Sequence, residues 1–136
     1  LVLHALEHSR GGELFVPKIP SYRITDLAEA IAPDCEHPVV GIRPGEKVHE
    51  EMVTEADSAT TWDLGDHYTI LPVSPGWDLD EWTSALGAVK VPNGFHYTSG
   101  ANDRFLSVDE LRSLIREHLD PDFVPGSSAA LSGDRF

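Results

Sequence analysis

The 136 residues predict an α/β fold, a small sheet with flanking helices, on three observations. Short runs rich in β-branched and aromatic residues recur at Glu13-Leu14-Phe15-Val16, His67-Tyr68-Thr69-Ile70-Leu71 and Phe95-His96-Tyr97-Thr98. Between and around them lie segments with helical apolar spacing. Gly and Pro punctuate both kinds of segment where a chain must turn or stop.

Taken in order, Val2 to His8 carries Val2, Leu3, Ala5 and Leu6 in a helical pattern, and Gly11-Gly12 supplies its stop. Glu13 to Val16 is a strand closed by Pro17. A helix follows from Asp26 to Ala32, with Thr25 as N-cap and Asp26 favourable in the first turn. Pro33 ends it. His37 to Ile42 is expected as a second, buried strand because Val39, Val40 and Ile42 form an apolar run. Lys47 to Val53 reads as extended or briefly helical, and the polar stretch from Thr54 to Gly65 as a helix-turn excursion. His67 to Leu71 is a strand stopped by Pro72. Residues 72 to 92 are expected to be a long surface loop, and Trp62, Trp77 and Trp82 to be packing or subunit-contact residues rather than a sugar-stacking platform, since no spacing puts them together. Ser107-Val108-Asp109-Glu110 is a capping box that starts a helix reaching about His118, apolar at Val108, Leu111, Leu114 and Ile115. Residues 1–119 therefore read as one domain. From Asp120 onward, Pro121, Pro125, Gly126, Ser127, Ser128 and Gly133 predict a disordered tail. No internal repeat is present.

Composition narrows the function. A formal net charge of −13 argues against duplex nucleic acid or an anionic membrane as partner, because both reward clustered Lys and Arg. No apolar run approaches the ~20 residues of a membrane helix. The single cysteine, Cys35, makes no internal disulfide and suits a cytoplasmic setting. The first residues carry no initiating Met and no leader, so the chain is expected to be cut from something longer.

Chemistry concentrates at Arg43-Pro44-Gly45-Glu46. Pro44-Gly45 turns the chain sharply and leaves Arg43 able to grip a phosphate through two parallel hydrogen bonds. Glu46, an acceptor at neutral pH, suits sugar hydroxyls. Together they match a nucleotide diphosphate with its ribose. His49 precedes Glu50 and Glu51 but lacks a second His four residues on, so it is expected to be structural, and no metal site is expected. Lys18 and Lys47 are read as exposed surface lysines.

Phe15-Val16-Pro17-Lys18-Ile19-Pro20-Ser21, then Asp26-Leu27-Ala28, then Gly41 through Met52 resemble the carboxyl-terminal part of the inverting UDP-N-acetylglucosamine 4,6-dehydratases, which are extended short-chain dehydrogenase/reductases (SDRs) of polysaccharide and pseudaminic acid synthesis. Tyr97-Thr98-Ser99, Asn102 and Phe105-Leu106-Ser107 continue the likeness. The resemblance implies the carboxyl-terminal substrate-binding portion of an extended SDR, with the Rossmann domain missing. It implies an enzyme that oxidises carbon 4 of a UDP-sugar with NADP, eliminates water across carbons 5 and 6, and returns hydride to carbon 6 with inversion at carbon 5. By the same likeness Arg43 would hold the diphosphate, Glu46 would accept from the ribose or orient the turn, and Asn102 would close over the substrate. A homo-oligomer is implied for the full-length protein. No Gly-rich strand-turn-helix is present, and Tyr22, Tyr68 and Tyr97 are followed four residues later by Asp26, Pro72 and Ala101 rather than Lys. No catalytic residue is therefore assigned, NADP would sit on the missing domain, and the fragment is expected to be inactive alone. Two other readings remain open: a related UDP-sugar epimerase or retaining dehydratase, and a non-catalytic acidic interaction module.

Overall fold

The structure is a computed structural model and describes residues 1–126. It is mixed α/β, with small antiparallel sheets, and divides into two compact units. The first comprises Leu1–Ile19 and His49–Ala101; the second comprises Pro20–Val48 and the chain from Asn102 onward.

In the first unit, helix α1 (Val2–His8) is followed by a tight turn organised by Glu13. Its carboxylate accepts from Ser9 Oγ at 3.0 Å, Arg10 N at 2.7 Å and Gly11 N at 2.6 Å. Strand β1 (Leu14–Pro17) then enters the sheet as expected. Val2, Leu3 and Leu6 of α1 remain 75–78% exposed. The sheet runs β1-β4-β3-β5, all antiparallel, where β3 is Thr61–Asp63, β4 is His67–Ile70 and β5 is Val89–Lys90. On β4 the alternation is clean: His67 and Thr69 are buried while Tyr68 and Ile70 are less so. Their register sets Val16 opposite Tyr68 and Trp62 opposite Thr69. A second, two-stranded sheet pairs β2 (Glu51–Val53) with β6 (Tyr97–Thr98).

Three expectations are corrected in this unit. The Thr54 to Gly65 segment is not only a helix-turn excursion: a 3-10 turn at Ala56–Thr60 delivers the chain into β3, a strand central to the sheet. The stretch from 72 to 92 is not a loop throughout. It contains helix α3 (Leu79–Leu86), whose N-cap Asp78 accepts from Glu81 N at 2.9 Å and whose C-cap is Gly87 at φ +61°. The three tryptophans, finally, do come together. Trp82 lies buried on α3 with its ring centroid 5.7 Å from Trp77 and 6.5 Å from Trp62. Helix spacing relates none of them. It is the fold-back of α3 that joins them.

The second unit is built on α2 (Ile24–Ile31) and α4 (Val108–His118). Ala30, Leu106 and Leu111 form its buried centre, with Leu27 and Val108 packed against them. Arg112 donates from Nε to Ala30 O at 3.2 Å and from Nη2 to Glu29 O at 3.1 Å, satisfying carbonyls that the end of α2 leaves open. Ser21 and Phe105 form a parallel bridge, with Ser21 N donating to Arg104 O and Leu106 N to Ser21 O. The capping box at Ser107 is present in full.

Here too the sequence reading needs correction. Helix α2 begins at Ile24 with Arg23 as N-cap and no side-chain cap bond, so Thr25 lies inside the first turn rather than capping it. The expected strand from His37 to Ile42 does not form. Gly41 at φ +86° breaks the extended run, and Val39, Val40 and Ile42 are 95%, 84% and 67% exposed instead of buried. Residues 120–126, placed in the tail by composition, make turns in which Phe123 is buried and Gly126 N donates to Ile31 O at 2.8 Å. The rest of the expected tail lies outside the described residues.

Candidate nucleotide-sugar site

Arg43 and Glu46 sit on one closed turn. Glu46 N donates to Arg43 O at 3.0 Å, and Glu46 Oε2 accepts from Arg43 N at 2.9 Å. Pro44 supplies the fixed φ of the second turn position, and Gly45 at φ +83° supplies the left-handed third, which side chains disfavour. One carboxylate oxygen of Glu46 thus holds the turn. Both residues are exposed, as is Lys47. The arrangement presents a guanidinium on a backbone loop fixed at both ends, a geometry suited to a phosphate oxygen pair.

Asn102 stands in a separate arrangement in the same unit. It donates from Nδ2 to Ser21 Oγ at 3.1 Å and accepts at Oδ1 from Arg104 N at 3.2 Å. These bonds brace the bridge between Ser21 and Phe105.

In the first unit, Lys18 is not a solvated lysine. Its Nζ lies 2.6 Å from Asp63 Oδ1 and 4.5 Å from the centre of the Tyr68 ring. Burial pushes the Asp63 carboxyl up, but the Lys18 bond and the Gly65 amide outweigh it and hold the group below its usual range. Tyr97 Oη donates to Ile19 O at 2.8 Å and accepts from Ile19 N at 2.9 Å, so this tyrosine fastens the end of the Pro-Lys-Ile-Pro segment. His49 packs over Gly100, whose missing Cβ would lie 2.6 Å from His49 Cγ. Sequence reasoning missed a cluster of His4, His8 and His67; the signal for its helical half was the four-residue spacing of His4 and His8.

The sequence model of a family described as polysaccharide biosynthesis protein matches residues 1–72. The chain belongs to this family. Among its relatives, a UDP-N-acetylglucosamine 4,6-dehydratase (inverting) from Campylobacter jejuni is 45% identical over 118 residues, covering 84% of this chain and 35% of that protein. A UDP-glucose 4-epimerase from Rickettsia canadensis is 38% identical over 120 residues, covering 85% of the chain and 34% of the relative. Among solved structures, that of Pen from Bacillus thuringiensis superposes with a TM-score of 0.64 at 27% identity, covering 85% of this chain and 34% of that one. The chain therefore spans about a third of the length of the relatives it matches. Among the described residues no helix is long and apolar enough to cross a membrane.

Proposed function

We propose that the chain is the substrate-binding part of an NADP-dependent, 5-inverting UDP-N-acetylglucosamine 4,6-dehydratase that makes a 6-deoxy-4-keto nucleotide sugar. The reading rests on the 45% identity to the Campylobacter jejuni dehydratase across a stretch containing the Arg43 to Glu46 turn. On this reading Arg43 holds the diphosphate, Glu46 fixes the turn and accepts from the ribose, and Asn102 lines the substrate cleft while bracing Ser21. The residues of this chain do not fit NADP: no Gly-rich strand-turn-helix is present to cradle a pyrophosphate. Hydride transfer and elimination are accordingly assigned to the remainder of the enzyme, and the chain contributes binding and orientation.

The test is made in the full-length protein. Arg43→Ala removes a charge-assisted contact made in ground state and transition state alike, so KM for the UDP-sugar should rise by tens-fold, corresponding to ~2 kcal/mol, with kcat little changed. Arg43→Lys should rescue only in part, because an ammonium cannot reproduce the planar two-pronged grip. Lys47→Ala serves as control and should stay near wild type. Wild-type UDP affinity in Arg43→Ala, together with its loss in Lys47→Ala, would show that the wrong basic residue had been assigned. The 38% identical epimerase favours one competing reading over the same residues. Product analysis separates the two, since an epimerase returns a sugar that keeps its 6-hydroxyl.

A further inference from the structure

The segment that leads into the Arg43 turn combines two features that an ordinary surface loop does not carry together. Val39, Val40, Ile42 and, beyond the turn, Val48 are 67–95% exposed. Single exposed apolar residues are normal, but a run of them marks a surface that something covers. Among the described residues, moreover, no backbone N–H or C=O from His37 to Ile42 takes part in a hydrogen bond. A row of unpaired backbone groups between β-branched side chains is a template on which a second strand adds.

The residue pattern specifies the kind of strand that fits. In an extended chain Pro38, Val40 and Ile42 share one face, and Val39 and Gly41 the other. Apolar residues on both faces suit a strand covered above and below, as in the sheets of α/β proteins, rather than one that keeps a side in water. Pro38 has no N–H and fits the first position of such a strand. Gly41, at φ +86°, is the one break. Glycine takes either sign of φ without steric penalty, so the run can straighten once a partner supplies its hydrogen bonds. The described residues of the same unit offer no such partner, since their one strand-like contact is the bridge between Ser21 and Phe105.

Resting on the reading of this chain as part of a larger enzyme, we propose that residues 38–42 are a docking strand whose occupant is an apolar edge strand from the remainder of the full-length protein. The chain covers 35% of the Campylobacter jejuni dehydratase, so most of a protein of that length is left to supply the strand. A net charge of −13 opposes the alternative of pairing between two copies of this chain. Ile42 runs directly into Arg43, so pairing also fixes the entry to the Arg43–Glu46 turn. Val39, Val40 and Ile42 are thereby positioning residues for the arginine.

Hydrogen exchange on the 136-residue chain and on the full-length protein tests this. Amides within residues 39–42 should exchange freely in the former and slow by at least ~100-fold at alternate positions in the latter. Val40→Pro blocks pairing and should leave the melting temperature of the 136-residue chain unchanged. In the full-length protein it should abolish the protection and raise KM for the UDP-sugar by about fivefold or more with kcat retained. Val40→Ile, which keeps the amide and the branched shape, should behave as wild type. Unprotected amides in the full-length protein, or equal destabilisation of both proteins by Val40→Pro, would overturn the proposal. So would protection that disappears on dilution, because that would give the strand to a second copy. Keto-sugar formation by a full-length protein whose residues 39–42 stay unprotected would overturn the docking strand alone. Protection in a full-length protein that forms no keto sugar would count against the dehydratase reading and for the pairing.

Discussion

Substituting Gly100 by alanine probes the joint between the two strands of the smaller sheet. Ser99 N donates to Glu50 O at 2.8 Å and Glu50 N to Ser99 Oγ at 2.9 Å, so the backbone here has no freedom to yield. A Cβ on Gly100 would fall 2.6 Å from His49 Cγ, 2.7 Å from Nδ1 and 2.8 Å from Cδ2, inside the contact distance of carbon atoms. Because Cγ lies next to the backbone, the ring cannot escape by a flexible tip and must change rotamer as a whole. Forced repacking of this kind costs ~1–3 kcal/mol, and an exposed ring places the expected value near the lower end, about 1–1.5 kcal/mol. The control is His49→Ala. With the ring gone the three nearest contacts are removed, and the reduced freedom of the unfolded chain should make Gly100→Ala neutral or stabilising by up to ~1 kcal/mol. A double-mutant cycle by urea unfolding should therefore report a coupling of about 1–2.5 kcal/mol, with the destabilisation abolished or reversed in the His49→Ala background. Equal effects of Gly100→Ala with and without His49 would refute the steric account.

Ser107→Ala should destabilise by ~1 kcal/mol, since the Ser107 side chain accepts from Glu110 N while Glu110 reaches back to Ser107 N; a change within error in thermal melting would show that the capping box carries no stability. Stability should also fall in acid. The Ser107 amide and hydroxyl hold Glu110 below its usual range, and the His67 ring does the same for Asp66. For Asp63 and Glu13 burial works upward but is outweighed, at Asp63 by the Lys18 bond and at Glu13 by the Arg10 amide and its neighbours. Groups with lowered folded-state values stabilise above their unfolded values of about 4, and that contribution is lost as pH falls through the lowered ones. Melting temperature should drop from pH 5 towards ~pH 2, and Lys18→Met should flatten that descent by returning Asp63 towards its unfolded behaviour. An unchanged slope in Lys18→Met would remove Asp63 from the account.

What the sequence disclosed was local, and what it concealed was pairing between distant segments. Helix α4 was legible because its signals, Ser107 with Glu110 and the apolar spacing of Val108, Leu111, Leu114 and Ile115, lie within three turns of chain. Helix α3 carried comparable signals in Asp78, Glu81 and Gly87, but Pro72, Pro75 and Gly76 just before them made the whole stretch resemble a loop. Strand β3 is three residues long and owes its place to partners on both sides, β4 and β5, so no periodicity could announce it. The error at His37 to Ile42 runs the other way. Three apolar residues satisfy a strand pattern, yet a strand also requires a neighbour for its amides, and Gly41 at φ +86° interrupts the run.

The same contrast separates the two parts of the proposed site, the Arg43 turn being local in sequence and the setting of Asn102 not. Arg43, Pro44, Gly45 and Glu46 are consecutive, and three restraints on the guanidinium's backbone come from within those four residues: the Arg43 to Glu46 amide bond, the return bond to the Glu46 carboxylate, and the positive φ of Gly45. A preformed turn costs a ligand little ordering entropy, which is why a phosphate-gripping arginine is well placed on one. Asn102 owes its position to Ser21, eighty-one residues earlier, and to the amide of Arg104, so its role emerges only once the parallel bridge is formed. A variant that loosens the turn without touching the arginine should therefore imitate Arg43→Ala. A variant that loosens the bridge, by contrast, should first act on the stability of the unit around α2 and α4, because Ser21 and Leu106 are held there by the same backbone exchange.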